Sequence, residues 1–228
     1  DDDGAYIGFD VVIGNPPYVQ LQSLGDVSRV LSKLGFATYS KSGDLYCLFY
    51  ERGIKLLKNE GTLSYITSNK WMRAGYGKNS RNFFLNSTEI NQLIDFGDSP
   101  IFENATTYTN ILVGRKKLEE NNTKPKVWDL SYNEKSTSLI DLLKSNDKFE
   151  NQFTQNSFLI ISKDDLKIKT QVESMGVPIK DWKINISYGI KTGFNEAFII
   201  TNEEKEDLVL EDPNSIEMLK PILRGKDI

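Results

Sequence analysis

Histidine is absent from the 228 residues, and cysteine occurs once, at position 47. No Ser-His-Asp triad, Cys-His pair or histidine-ligated metal can therefore be assembled, and one thiolate cannot build a zinc site. An intrachain disulfide is excluded as well. Cys47 lies in the apolar segment LYCLFYERGIKLL, where a free thiol behaves as a small core residue. No apolar run approaches the roughly 20 residues of a membrane-spanning helix. The opening DDDGAYIG carries neither a basic stretch nor a signal-type apolar core, so a cytoplasmic setting fits and no membrane partner is expected. Strong charge of either sign is also missing. The net charge of -4 argues against a general nucleic-acid coat but leaves room for a local basic cleft. Hydrophobic residues at 39% and charged residues at 26% are ordinary for a globular chain. Chemistry must then rest on amides, carboxylates, hydroxyls, lysines, aromatics or a bound cofactor.

The hydrophobic pattern reads as β-loop-α-β-α-β-β. Phe9 to Ile13 is short, β-branched and continuous, the character of a central strand buried on both faces. Such a strand needs a neighbour on each side, which leads us to expect upstream strands in a longer protein. Residues 19–43 read as a long polar loop with a helical turn or two. Asp44 caps a predicted helix to about Lys58, with Leu45, Leu48, Phe49, Ile54 and Leu57 as its apolar stripe, and Asn59-Glu60-Gly61 as its end. Strands are predicted at 62–67, 90–96 and 108–116, and a helix at 78–87. Strands alternating with helices imply an α/β fold with a mostly parallel sheet, the last strand antiparallel. A polar linker at 118–126 precedes a strand in VWDLSY, a helix in TSLIDLLKS and a strand at 157–161. Ser162 and Asp165 form a capping-box-like start to a helix ended by Gly176, and residues 182–201 read as a hairpin. Trp71, Trp128 and Trp182 are expected as packing anchors. The chain divides accordingly into residues 1–118, 119–178 and 179–228.

The first strand runs through a glycine into Asn15-Pro16-Pro17-Tyr18. Two prolines cannot continue a sheet ladder, and they make the turn rigid before any ligand arrives. In open α/β sheets ligands bind at the carboxyl ends of strands, where this turn falls. The Asn15 side-chain carbonyl and a proline carbonyl are two acceptors, and Tyr18 is a flat ring. That set suits a planar ring bearing an exocyclic amino group. Both N–H bonds are held, the nitrogen is drawn out of conjugation, and no histidine base is needed.

Asn-Pro-Pro-Tyr after an apolar strand resembles the catalytic motif of S-adenosyl-L-methionine-dependent amino-methyltransferases, most closely the adenine-N6 DNA methyltransferases of restriction–modification systems. The segments GDLYCLFYERGIKLLKNEGTLSYITSNKW and IDFGDSPIFENATTYTNILVGRKK resemble later parts of that domain. IKDWKINISYGIKTGFNEAFII and KPILRGKDI resemble the opening of the target-recognition domain in single-chain type II restriction–methylation enzymes and Taq-type methylases. The resemblance implies the later strands of a Rossmann-like class I methyltransferase sheet, followed by a small α+β region. It implies that Asn15 and Pro16 hold the adenine amino group, that Tyr18 and Phe102 stack on the flipped base, and that Asn15 and Pro17 face the cofactor, S-adenosyl-L-methionine. The implied partner is double-stranded DNA in a prokaryotic cytoplasm.

The family's glycine-rich cofactor loop and ribose-binding acid precede this motif and are not in these residues. An upstream part of the same polypeptide is therefore an expected partner, and the 228 residues alone are expected to be inactive. Candidate DNA contacts are Lys70, Arg73, Lys78 and Arg81, then Lys191, Thr192, Asn195, Arg224 and Lys226 in the recognition region. Two alternatives remain open at this level. One is a protein glutamine-N5 methyltransferase, whose substrate is also a planar amide. The other is a non-catalytic DNA-recognition fragment.

Overall fold

The computed structural model describes residues 4, 6–99, 101, 108–117, 124–131, 139–144, 148–184 and 198–221. They fall into two compact units, Asp1–Gly176 and Val177–Ile228.

The first unit is built on a five-stranded sheet. Its strands are β1 (Phe9–Gly14), β2 (Leu57–Ser68), β3 (Thr88–Asp95), β4 (Thr109–Lys116) and β5 (Lys126–Asp129), in the order β1-β2-β4-β3-β5. β1 runs parallel to β2 and β5 parallel to β3, while β4 lies antiparallel to both β2 and β3. Four strands therefore point one way and β4 alone points back. This is the mixed α/β, mostly parallel sheet that the alternation of elements implied, with the last of the early strands reversed. The carboxyl ends of β1, β2 and β3 and the amino end of β4 all meet at one edge.

Five α-helices of this unit are described: α1 (Asp26–Leu31), α2 (Leu45–Leu56), α3 (Lys78–Ser87), α4 (Leu139–Leu143) and, after a small hairpin, the longer α5 (Lys163–Met175). α2 buries Tyr46, Cys47, Tyr50 and Ile54 against the sheet, and Cys47 is in the core as expected. Phe49, assigned to the apolar stripe from its spacing, faces out, because the buried face is centred on Tyr46, Tyr50 and Gly53. A Cβ at Gly53 would stand 2.4 Å from Leu63 Cδ1, so glycine there sets how closely α2 approaches β2. The helix does not run to Lys58. It ends at Leu56 and β2 starts at once, the predicted turn at 59–61 becoming a bulge in the β1–β2 register with Glu60 at φ 64°.

β1 is the strand least covered by the described residues. It is an edge strand with only β2 beside it, and Phe9, Val11 and Ile13 are 52%, 60% and 78% exposed. Only Val12 packs against the core, from the opposite face. The continuous apolar run has one flank and one face covered instead of two.

β6 (Phe149–Phe153) and β7 (Phe158–Ser162) form an antiparallel pair. The stacked Phe153 and Phe158 rings, 4.3 Å apart, carry β7 into the core, where Phe158 meets Trp71. Ser162 caps α5 by accepting from the Asp165 N–H at 3.0 Å, and the helix ends at Gly176, as the sequence predicts. In the second unit, α6 (Asn202–Glu211) opens with a reciprocal Thr201–Glu204 capping box. The predicted hairpin falls largely on residues 185–197, outside the described residues. Trp71 and Trp128 are buried anchors, but Trp182 is exposed, its indole N–H donating to the Val177 carbonyl at 2.9 Å. Among the described residues no helix is long and apolar enough to cross a membrane.

Candidate active site

The turn Asn15–Tyr18 leaves β1 at the carboxyl edge of the sheet. Beyond it the chain is pinned to the start of α2. Leu45 N–H donates to the Val19 carbonyl at 2.8 Å, and Leu21 N–H to the Gly43 carbonyl at 2.8 Å, flanking a Gln20–Asp44 bridge. The turn is thus held by a strand on one side and a helix start on the other, with two prolines stiffening it between. Asn15 and Pro17 are exposed, Pro16 is buried and Tyr18 is half-buried. Among the described residues, no hydrogen bond engages the Asn15 side-chain amide or the Pro16 carbonyl. The turn therefore presents two uncommitted acceptors beside an aromatic ring.

Tyr18 meets Tyr46 edge to face, ring centres 5.9 Å apart at 81°. Its hydroxyl is buried without a hydrogen-bond partner, and desolvation pushes the phenol's pKa up. Tyr46, fully buried, bonds the Tyr76 hydroxyl at 2.8 Å, and Tyr76 O–H donates to Asp44 Oδ2 at 2.7 Å. Burial also raises the pKa values of both these phenols. Underneath, Tyr50 and Thr67 share a hydrogen bond of 2.9 Å, and Thr67 Oγ1 donates to Asn110 Oδ1 at 3.2 Å. β2 and β4 are joined there by buried polar groups as well as by their ladder.

The predicted cations separate into two kinds. Lys70 and Lys78 are exposed, the first at the carboxyl end of β2 and the second at the start of α3. Arg73, half-exposed, reaches Asp95 Oδ2 at 3.1 Å. Asp95 is fully buried at the end of β3, and its Oδ1 accepts from Asn69 Nδ2 at 2.7 Å and from the Gly97 N–H at 3.0 Å. Arg81 is 2% exposed. Its Nη1 donates to the carbonyls of Trp71 (2.5 Å) and Ala74 (2.9 Å), and its Nε to that of Gln155 (2.8 Å). Desolvation lowers its pKa. The sequence pattern groups Arg81 with surface cations, but the structure uses it as an internal clamp. The reading of Arg81 as a DNA contact is corrected accordingly. Its donors are spent on backbone carbonyls.

The structure therefore brings Asn15, Pro16, Pro17, Tyr18, Lys70 and Arg73 to the same edge of the sheet. Phe102, Lys191, Thr192, Asn195, Arg224 and Lys226 lie outside the described residues. Sequence reasoning did not single out Asn69, Asp95, Tyr46 or Tyr76. Asn69 had a signal: like Asn15, it stands just past the end of a strand. No group of three His, Cys, Asp or Glu side chains able to hold a metal occurs among the described residues.

Comparison with known proteins gives a consistent picture. Residues 3–102 match the model of the Eco57I restriction-modification methylase family. The type II restriction enzyme and methyltransferase RM.Eco57I of Escherichia coli is 29% identical over 84% of this chain and 19% of its own length. The type II methyltransferase M.BstVI of Geobacillus stearothermophilus is 28% identical over 97% of this chain and 41% of its own length. The chain thus spans about a fifth of the first relative's length and two fifths of the second's. Among solved structures, the type IIL restriction-modification enzyme MmeI, determined in complex with DNA, aligns over 89% of this chain and 26% of its own. Its TM-score is 0.50 at 16% identity, a likeness of fold alone. Residues 3–102, which carry the Asn-Pro-Pro-Tyr turn, are thus similar to the Eco57I restriction-modification methylase family.

Proposed function

We propose that this chain carries the amino-group pocket of a site-specific DNA adenine-N6 methyltransferase of a type II restriction–modification system. The observation that supports it most is the tethered turn with two uncommitted acceptors, Asn15 and the Pro16 carbonyl, beside the Tyr18 ring. In this reading those acceptors take the two N–H bonds of adenine N6, drawing its lone pair out of conjugation with the ring. Tyr18 forms one plate of the pocket and Phe102 the other, and the base leaves the duplex to enter between them. S-adenosyl-L-methionine supplies an electrophilic methyl group on a sulfonium. Asn15 and Pro17, both exposed at the carboxyl edge, fit one wall of its site. Lys70, Arg73 and Lys78 serve as phosphate contacts, with Lys191, Thr192, Asn195, Arg224 and Lys226 in the recognition region.

The rest of the cofactor site belongs, in this proposal, to another part of the same polypeptide, which also supplies a strand against the outer edge of β1. The unpaired outer edge of β1 supports that assignment, as does the small share of each relative that the chain spans, and the exposed face of Phe9, Val11 and Ile13 leaves room for the same part to pack on. A nuclease in the same polypeptide, as the name of the E. coli relative describes, and a cytoplasmic site of action complete the reading.

The test is Asn15→Ala in the full-length protein, scored by methyl incorporation into DNA. Loss of one amino-group acceptor should lower kcat by about a hundredfold to a thousandfold. Methylation at a near-normal rate would overturn the assignment.

A further inference from the structure

The Tyr18 ring sits where it does through packing alone, since its own hydroxyl has no partner. What it packs on is therefore informative. Tyr46 presents its ring to Tyr18 and is fully buried, and its hydroxyl points away toward Tyr76. The single Tyr76 proton goes to Asp44, so Tyr46 must be the donor in the 2.8 Å bond between the two phenols. The chain of bonds thus has one direction, Tyr46 to Tyr76 to Asp44.

Asp44 is the residue immediately before α2, the place where an aspartate ordinarily caps the helix. Its side chain makes no cap hydrogen bond and goes to Tyr76 instead. Its backbone meanwhile bridges Gln20, just beyond the turn. One residue therefore anchors both the backbone after Tyr18 and the hydroxyl chain behind the ring that Tyr18 leans on. Gly43 fits the same arrangement. A Cβ there would stand 3.3 Å from Tyr76 Cδ2 and 3.1 Å from the Ser40 carbonyl oxygen, close enough that these neighbours would have to give by a few tenths of an ångström.

We infer that Tyr46, Tyr76 and Asp44 are positioning residues that fix the plane of the Tyr18 ring, and with it the stacking face offered to the extruded base. The inference rests on the methyltransferase reading above. Without the hydroxyl links, the Tyr46 ring keeps its volume but loses its fixed tilt, and the face offered by Tyr18 wanders.

The experiment uses the full-length enzyme with Tyr46→Phe, Tyr76→Phe, Asp44→Ala and Asp44→Asn, and with Tyr39→Phe as control. Tyr39 lies in the segment between the Asn-Pro-Pro-Tyr turn and α2, and its hydroxyl bonds Ser28 Oγ at 3.1 Å. The readouts are kcat, KM for cofactor, melting temperature, and the emission of 2-aminopurine placed at the target base. Tyr46→Phe, Tyr76→Phe and Asp44→Ala should lower kcat about tenfold to hundredfold, as sub-ångström misplacement does. Cofactor KM should stay within about twofold, and the 2-aminopurine emission should change. Asp44→Asn keeps an acceptor oxygen and should restore most of the rate. Wild-type kcat and emission in Tyr46→Phe and Tyr76→Phe, with Asn15→Ala inactive, overturn this inference alone. An active Asn15→Ala overturns the reading beneath it. A kcat loss that Tyr39→Phe reproduces, in step with melting temperature, marks general loosening and also overturns the inference.

Discussion

Replacing Arg81 with methionine separates the internal clamp from the surface cations. The guanidinium donates to the Trp71, Ala74 and Gln155 carbonyls, tying α3, the turn after β2 and the β6–β7 hairpin to one another. Methionine fills most of the alkyl stem and removes all three bonds. The Ala74 carbonyl keeps the Gly77 N–H at 3.1 Å and Gln155 is exposed, where water can replace the lost donor, so the Trp71 carbonyl bears most of the loss. A buried acceptor stripped of its partner costs about 1–3 kcal/mol. One such loss, with the other two bonds exchanged for other donors and offset in part by no longer burying a charge, gives a net destabilisation of about 1–3 kcal/mol. With a urea m-value of about 2 kcal/mol/M, the unfolding midpoint should fall by about 0.5–1.5 M. Arg81→Lys keeps the charge but not the fork, and should fall between methionine and wild type. DNA binding, measured as the slope of log affinity against log salt, should keep its wild-type slope in the folded fraction. An unchanged urea midpoint together with a shallower salt slope would refute the reasoning, because it would place the guanidinium on a phosphate.

Lys70→Ala and Lys78→Ala should do the opposite. Each should reduce the salt slope by about 0.9 and leave the urea midpoint alone, and a slope unchanged in both would remove them from the DNA contact set. Tyr18→Phe deletes a buried hydroxyl that has no partner, so the protein should be unchanged or up to about 1–2 kcal/mol more stable in urea, with methylation retained. A clear loss of stability would mean that the hydroxyl is bonded after all. Glu51 is fully buried in α2. Burial pushes its carboxyl pKa up, but Lys55 and the donors of Ala37 and Thr38 outweigh that and hold it below the ordinary glutamate value of 4.5. A lowered folded pKa contributes stability above the unfolded value and loses it as pH falls through the folded one. Glu51→Gln should therefore flatten the acid limb of a plot of urea midpoint against pH, and an acid limb as steep as wild type would refute the assignment.

Sequence and structure agree where local chemistry decides the conformation. The helix at 78–87 has the predicted bounds, Ser162 caps α5 as its spacing with Asp165 indicates, and the two prolines stop β1 where they stand. Disagreement arises where a choice is made at long range. FENQF alternates too weakly to announce β6, which exists because Phe153 stacks on Phe158 of the partner strand. The burial of Arg81 depends on Gln155, far along the chain. Asp44 has the right identity for a cap, yet Tyr76 claims its carboxylate. Of the site, the turn was legible because proline fixes backbone torsions directly. Its supports, Tyr46, Tyr76, Asn69 and Asp95, act through contacts that spacing does not encode.

The backbone bonds that join Val19 to Leu45 and Leu21 to Gly43 close the intervening excursion at its neck, like the stem beneath a loop. Its returning half is moored by Thr38 on Glu51 and by the Tyr39 carbonyl on Asn79, whereas its outward half, around α1, is mostly open to solvent. Growth or trimming of that outward half alters closure entropy by only about 0.6 kcal/mol per doubling of length. A graft placed near Gly35 would thus extend the rim of the carboxyl edge with the Asn-Pro-Pro-Tyr turn left in register, which makes this excursion the natural place to vary reach without disturbing that turn.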